Sequence, residues 1–182
     1  MARLGPDEED RETEWADRST DRAKSAWLQT LEDMRAMARD REESGYETVT
    51  LQAGNTAPKG PDQGDTDQWG LFYVVPGEDG EAFQDLLERA AFDETAVYQA
   101  SIGRETFLVT EVLDHDADLA CFVAGSYLRT AAPPLVRAAM ERGNMYTHVK
   151  TIDGTHQGTI EHEEPADFFP DPKAIYAYEH SP

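Results

Sequence analysis

Three runs of strand-forming residues follow one another between residues 94 and 128, with only short turns between them. The first run, Thr95 to Ile102, is separated by Gly103-Arg104 from a second, Glu105 to Leu113, and this pattern is typical of a β-hairpin. The third run, Leu119 to Tyr127, contains the uninterrupted apolar stretch LACFVA, which predicts an interior strand covered on both faces. We therefore expect these three runs to form the centre of a sheet.

Helical spacing of apolar residues appears in three other stretches. The apolar positions are Trp27, Leu31, Met34 and Ala38 in the first, Phe83, Leu86, Leu87, Ala90 and Ala91 in the second, and Leu135, Val136, Ala139 and Met140 in the third. Further strands are predicted at Tyr46 to Leu51 and Trp69 to Val75, and on either side of the turn Asp153-Gly154, at Met145 to Ile152 and Thr155 to Glu161. The predicted order is α-β-β-α-β-β-β-α-β-β. This order indicates an α+β fold with a single mixed, mainly antiparallel sheet and about three helices.

The chain divides into three parts by composition. Residues 1–20 are dense in Asp, Glu and Arg, and a segment with so few apolar anchors is predicted to be an acidic, mobile tail. Residues 21–164 form the predicted α+β domain, interrupted by a long loop at 53–68 that is rich in Gly, Pro, Asn and Asp. Residues 165–182 are predicted to be an irregular strap over the core.

The charge balance is strongly acidic, with 37 Asp and Glu against 16 Lys and Arg and a formal net charge of −21. Only four of the basic residues are lysines, namely Lys24, Lys59, Lys150 and Lys173. Roughly molar salt reduces the screening length to about 3 Å, so this composition suits a salt-rich cytoplasm in which cations gather at the acidic surface. The same balance disfavours nonspecific binding to nucleic acid or anionic membranes, because no basic patch is evident.

No targeting or membrane-spanning segment is evident from the pattern. The N-terminus lacks an apolar signal region, and the longest apolar run is far shorter than the roughly 20 residues that a spanning helix needs. We therefore expect a cytoplasmic protein. Cys121 is the only cysteine and lies inside the most apolar strand, so it is predicted to be a small core residue.

Candidate catalytic residues are sparse. The best group of metal ligands is His148, His156, Glu161 and His162, which lie on or beside the predicted Asp153-Gly154 hairpin and would support a metal-assisted hydrolase. No HExxH or CxxC spacing accompanies these residues, and only a hairpin with a long register offset brings the two imidazoles on its arms together. The simpler interpretation is that these polar residues lie on the solvent-exposed face of an edge hairpin.

Other chemistry has even less support. Asp114-His115-Asp116 is more simply a polar turn than a carboxylate-oriented base. No nucleophile elbow or phosphate-binding loop is present, so no cofactor is predicted and no catalytic set is coherent.

Aromatic residues in the two terminal segments favour a different function. Trp15 and the pair Phe168-Phe169 are the residues that a monomeric core explains least, and Arg104 at a hairpin turn is placed to contact an anionic group. We therefore expect a nonenzymatic binding or regulatory domain that contacts another protein. A small-ligand sensor with its groove beside the 53–68 loop is the third hypothesis.

Four segments carry a resemblance to known sequences, namely GYETVTLQAGNTA (45–57), AFDETAVYQASIG (91–103), GNMYTHVK (143–150) and ADFFPD (166–171). Together they resemble a family of small, acidic haloarchaeal proteins of unknown function, over roughly residues 23–171. The resemblance implies a haloarchaeal cytosolic origin and one compact domain. It assigns no role to any residue.

Overall fold

The computed structural model describes residues 6–64 and 66–180, with side chains from Thr20 to Glu179, and these residues form four α-helices and eight β-strands. The helices are α1 Pro6–Glu43, α2 Gly77–Arg89, α3 Pro133–Arg142 and α4 Pro172–Tyr176. The strands are β1 Glu47–Gln52, β2 Asn55–Lys59, β3 Gly70–Val75, β4 Glu94–Ile102, β5 Glu105–Asp114, β6 Leu119–Leu128, β7 Met145–Thr151 and β8 His156–His162. Short 3₁₀ turns lie at Arg129–Ala131, Pro165–Asp167 and Ala177–His180.

The strands form two separate four-stranded sheets, so the prediction of a single sheet with about three helices is wrong. Sheet A has the order β1-β6-β5-β4, and sheet B has the order β2-β3-β7-β8. Each sheet joins strands that are distant in sequence through one parallel pair, β1 with β6 in sheet A and β3 with β7 in sheet B. The α+β class itself is correct.

The chain passes from sheet A to sheet B within two residues. The backbone N–H of Ala53 donates to the carbonyl of Ala124 in sheet A, and the N–H of Gly54 donates to the carbonyl of Val74 in sheet B. Because both of these backbone donors stay paired across the change, a two-residue link is enough to separate the sheets. The sequence of this link has the composition of a loop, and for this reason it does not reveal the second sheet.

Two elements are absent from the predicted order. Strand β2 lies inside the predicted loop at 53–68, and it tolerates Pro58 because it is an edge strand, where a missing N–H breaks no essential ladder bond. Helix α4 lies inside the predicted strap, where Asp171 accepts a hydrogen bond from the backbone of Ala174 at the start of the helix. Both elements are five residues long, which is too short for a clear periodic pattern of apolar residues.

The main core lies between the two sheets. It contains inward-facing residues of both, such as Leu51 and Cys121 from sheet A and Leu71 and Val149 from sheet B, together with side chains of α2 and α3. Cys121 is fully buried there, as predicted. The predicted meander of three strands is confirmed, with β5 paired along its length to β4 and to β6, but β4 is the edge strand of sheet A and not part of its centre.

A second, smaller core lies on the other side of sheet A. Helix α1 packs Leu31, Met34 and Ala38 against this face, where they meet residues such as Val109 and Phe122. Strands β5 and β6 are therefore buried on both faces, which explains why their sequence alternates so poorly. Helix α1 begins at Pro6 and therefore starts upstream of the apolar positions from Trp27 to Ala38 that predict it.

Candidate functional site

The face of sheet B that points away from the core carries an unusual set of side chains. The polar and aromatic residues on this face, which we call the outer face of sheet B, are Lys59 from β2, Phe72 from β3, Tyr146, His148 and Lys150 from β7, and His156, Thr159 and Glu161 from β8. Strand alternation places them there, because Leu71, Tyr73, Met145 and Val149 at the intervening positions belong to the core between the sheets. Helix α2 approaches sheet B from the opposite side, where Phe83 and Leu87 pack over Gly158.

Three rings on this face lie nearly parallel. Phe72 and His148 are direct partners in the parallel β3–β7 pair, and their ring centroids are 4.5 Å apart with an interplanar angle of 22°. Tyr146 lies two residues before His148 on the same strand, with its ring centroid 6.0 Å away at 25°. Phe72 and His148 are buried although no helix is packed over them in the described part of the chain. Their cover is provided by neighbouring side chains of the face itself.

Two lysines lie over the Phe72 ring. The Nζ of Lys59 lies 5.1 Å from the centroid of the Phe72 ring, and the Nζ of Lys150 lies 4.8 Å from the same centroid. Such ammonium–ring contacts are favourable because the ring face is electron-rich. Among the described residues, no carboxylate forms an ion pair with either ammonium. Two of the four lysines in this acidic chain therefore converge on one phenyl ring.

A β-bulge brings the two histidines of the face together. The register shifts between Val149 and Lys150, so that Lys150 pairs with His156 and one extra residue is accommodated in β8. The imidazole centroids of His148 and His156 are consequently 5.7 Å apart. The register offset that brings the two imidazoles close together therefore comes from a β-bulge and not from a long turn.

The hydroxyl of Thr159 bridges the two imidazoles. It lies 2.8 Å from Nδ1 of His148 and 3.0 Å from Nε2 of His156, while Nε2 of His148 lies 2.7 Å from the carbonyl oxygen of Trp69. Because a carbonyl can only accept, Nε2 of His148 is the donor in that bond. In neutral His148 the Nδ1 atom then accepts from Thr159, whose oxygen accepts in turn from Nε2–H of His156. The hydrogen bonds fix the orientation of both rings.

Both imidazoles are held in their neutral form at neutral pH. Burial lowers the pKa of His148, the hydrogen bond to Trp69 opposes this shift, and His156 and Lys150 lower the pKa further. Burial and the positive charge of Lys150 lower the pKa of His156. The positive charge of the face therefore comes from the two ammoniums.

The profile of one protein family matches residues 13–170, which is most of the chain, and the description of that family is "Family of unknown function (DUF7529)". The chain belongs to this family. No curated protein and no solved structure matches the DUF7529 chain. Membership agrees with the resemblance to a family of unknown function, whereas the haloarchaeal origin and the cytosolic location stay predictions.

The four predicted metal ligands of this DUF7529 member are divided between the two faces of sheet B. His148 and His156 lie on the outer face, but His162 is buried on the core side, where it approaches Thr147 and lies against Phe168 with ring centroids 4.6 Å apart. Glu161 is exposed at the end of β8, near Tyr146. Within residues 20–64 and 66–179, no three His, Cys, Asp or Glu side chains lie where they could hold one metal ion.

The residues predicted to bind a partner are also separated. Phe168 and Phe169 are 1% and 0% exposed, and they pack in the main core. Arg104 is exposed at the β4–β5 turn, and its carbonyl accepts a hydrogen bond from the backbone of Arg129. Trp15 lies in the part of α1 whose side chains are outside the described residues.

Two surface cavities lie beside the segment predicted as a loop at 53–68. One of about 730 Å³ is lined by apolar side chains that include Trp27, Val74 and Phe107, and the other, of about 460 Å³, lies between Lys59 and Pro134. Among the described residues, neither cavity brings together a second group of convergent cations. Over the same residues, no helix is both long enough and apolar enough to cross a membrane.

His148 and His156 are identified from the sequence, but Lys59 and Phe72, which contribute the ammonium–ring contacts of the face, are not. The loop-like composition around Lys59 hides strand β2, and Phe72 is only one residue of an apolar strand. The available signal is the scarcity of lysine, because Lys59 in the predicted loop and Lys150 in a predicted strand are two of only four lysines in the chain. That signal becomes specific only when β3 and β7 are known to be neighbours.

Proposed function

We propose that this domain is a nonenzymatic small-ligand sensor that binds an anion on the outer face of sheet B. The observation that supports the proposal best is the convergence of Lys59 and Lys150 on Phe72, with no acidic partner among the described residues. Lys24 and Lys173 also form no ion pair with a described carboxylate, so the feature that sets Lys59 and Lys150 apart is that their ammoniums lie 5.1 and 4.8 Å from the centroid of one ring. A ligand with negative charge would take the place of the missing carboxylates.

Charge repulsion supports the same interpretation. Two ammoniums beside the same ring repel each other, and an anion between them converts this cost into two attractive contacts. The buried Phe72 ring below the ammoniums lowers the local dielectric, so that an anion there is screened less than one at an open surface. We propose that this weaker screening lets the site work in the salt-rich cytoplasm that the composition suggests.

Thermal unfolding in molar KCl tests the proposal against a panel of small anions. A ligand present at 100 times its dissociation constant stabilises the folded state by about 2.7 kcal/mol, and the melting temperature rises accordingly. We expect phenyl phosphate to raise it for wild type and for a control variant, Lys173→Met, in which the substituted side chain is exposed on α4. The double variant Lys59→Met/Lys150→Met should show no rise. A shift that persists in the double variant would reject the site.

Binding to another protein is the second candidate, and one observation favours it. Ile102 and Leu128 are 37% and 54% exposed, and both pair in register with Glu105 at the end of sheet A, next to Arg104. Exposed apolar side chains beside a cation are typical of a contact surface. Wild type should retain a partner in pull-downs at molar KCl that Ile102→Ser/Leu128→Ser loses. Equal retention by both proteins would contradict this candidate.

A further inference from the structure

We infer that the anion is a small phosphate monoester in its dianionic form, with a planar organic group attached to the phosphate. The inference rests on the proposed function, and it adds the charge of the ligand and the nature of its organic part. Three features of the outer face of sheet B support it, namely the number of cations, the exposed ring beside them and the charge of the whole chain.

The number of cations indicates a ligand with two negative charges. Lys59 and Lys150 reach the same ring from strands on opposite sides of β3. The inferred ligand lies beside Phe72 and contacts both ammoniums. A carboxylate or a sulfate ester neutralises only one of them. A phosphate monoester carries close to two charges at neutral pH and has three acceptor oxygens for the ammonium hydrogens.

The exposed ring beside the cations indicates a planar organic group. Lys150 and His156 are direct partners across the β7–β8 pair, so the imidazole of His156 lies next to one ammonium. That ring is exposed, and its orientation is fixed by the hydrogen bond to Thr159. A flat group attached to the phosphate can stack on this pre-oriented ring without ordering a flexible side chain.

Other charged and polar groups on the face limit the size of the ligand. Glu161 on β8 lies close to Tyr146, so the end of the face near Tyr146 carries a negative charge and favours a short ligand held at the Lys150 end. The net charge of −21 repels a polyanion over its whole length, whereas a small dianion meets mainly the two nearby ammoniums. This difference favours a small ester over a single-stranded nucleic acid.

Titration calorimetry in molar KCl at neutral pH, with four named probes, tests the inference. The probes are phenyl phosphate, inorganic phosphate, phenyl sulfate and a short single-stranded oligonucleotide. We expect phenyl phosphate to bind wild type at least about tenfold more tightly than each of the others, a free-energy difference of about 1.4 kcal/mol. His156→Ser should reduce the preference for phenyl phosphate over inorganic phosphate, whereas Lys59→Met and Lys150→Met should each weaken both phosphates. Lys173→Met should match wild type.

The outcomes separate the inference from the function on which it rests. Equal affinity for phenyl sulfate would overturn the inference that the ligand is a dianion. Equal affinity for inorganic phosphate would identify free phosphate as the ligand and overturn the inference that a planar organic group is attached. Tighter binding of the oligonucleotide would overturn the small ester. In each of these cases, binding that still depends on Lys59 and Lys150 leaves the anion sensor intact. If no anion binds, both the inference and the proposed function fail.

Discussion

Sheets A and B have the same number of strands, but their outer faces are covered in different ways. On sheet A, helix α1 places an apolar stripe over Val109 and Phe122 and adds an ion pair between Arg41 and Glu111. On sheet B, long polar side chains and aromatic rings cover one another, and two ammoniums lie over Phe72. One face is therefore built for stability, whereas we propose that the other retains groups that contact a small charged molecule.

The largest expected effect is a loss of stability when a phenylalanine on the outer face of either sheet is replaced by alanine, and the size of the loss should differ between the two sheets. Phe122→Ala leaves a closed cavity below α1 and should reduce the free energy of unfolding by about 3–5 kcal/mol. Phe72→Ala should cost about 2 kcal/mol less, because lysine side chains and water fill the space on an open face. Urea denaturation at fixed KCl concentration measures both changes. Equal losses would mean that the outer face of sheet B is packed like a core.

The next effect is a change of the free energy of unfolding with pH, caused by His162 on the core side of sheet B. Burial lowers the pKa of His162 to about 4 from its ordinary value of 6.5. The depressed folded-state pKa means that His162 contributes full stability above pH 6.5, and that this stability falls as the pH falls from 6.5 towards 4. The loss should be about 3 kcal/mol, since each pH unit is worth about 1.4 kcal/mol.

The measurement is the free energy of unfolding from pH 8 to pH 4, taken as the difference between wild type and His162→Gln. The difference removes the titration of the many carboxylates, which both proteins share. A difference that does not change with pH would contradict the buried, neutral state of His162.

A medium effect tests how α1 is attached to sheet A. Both guanidinium contacts of Arg41 to Glu111 are short, at 3.0 and 3.1 Å, and Glu111 is only 4% exposed. Arg41→Met leaves that carboxylate without its partner and should cost about 2 kcal/mol in chemical denaturation. Adding Glu111→Gln should recover part of the loss, because the uncompensated charge is removed. A double variant less stable than Arg41→Met would show that the ion pair is not the reason.

The smallest expected effect is the most informative about sheet B. Lys59→Met and Lys150→Met should each change the free energy of unfolding by less than about 0.5 kcal/mol in the absence of a ligand, because each replacement keeps an apolar stem over Phe72 and removes a like-charge repulsion. Chemical denaturation of the two variants beside Lys173→Met measures this. A loss above about 2 kcal/mol would indicate that the lysines are there for stability.

Local patterns in the sequence are sufficient for several elements and fail where distant strands meet. The runs from Thr95 to Tyr127 specify the meander of sheet A, and Asp153-Gly154 specifies the β7–β8 hairpin, because these signals act between neighbours in the chain. The parallel pairs β1–β6 and β3–β7 join segments that are distant in sequence, and no local pattern encodes them. The two-sheet architecture escapes sequence reasoning for this reason.

The candidate site depends on the same distant contacts. Phe72 and His148 are 76 positions apart in the printed sequence and meet only through the β3–β7 pair. The bulge beside Lys150 then decides that His156 faces Thr159 and His148 instead of the core. Histidine and glutamate content alone suggests a metal site, but the alternation of β8 places His162 on the other face of the sheet.

Nuclear magnetic resonance shift mapping during a phenyl phosphate titration in molar KCl tests directly whether an anion binds on the outer face of sheet B. We expect saturable shifts at Lys59, Phe72, Lys150 and His156. We expect none at Lys173 on α4, which serves as a distant control, and none at the α1-covered face near Phe122. Saturable shifts that centre on the α1-covered face, or the absence of any saturable shift on the outer face of sheet B, would contradict the proposed anion site.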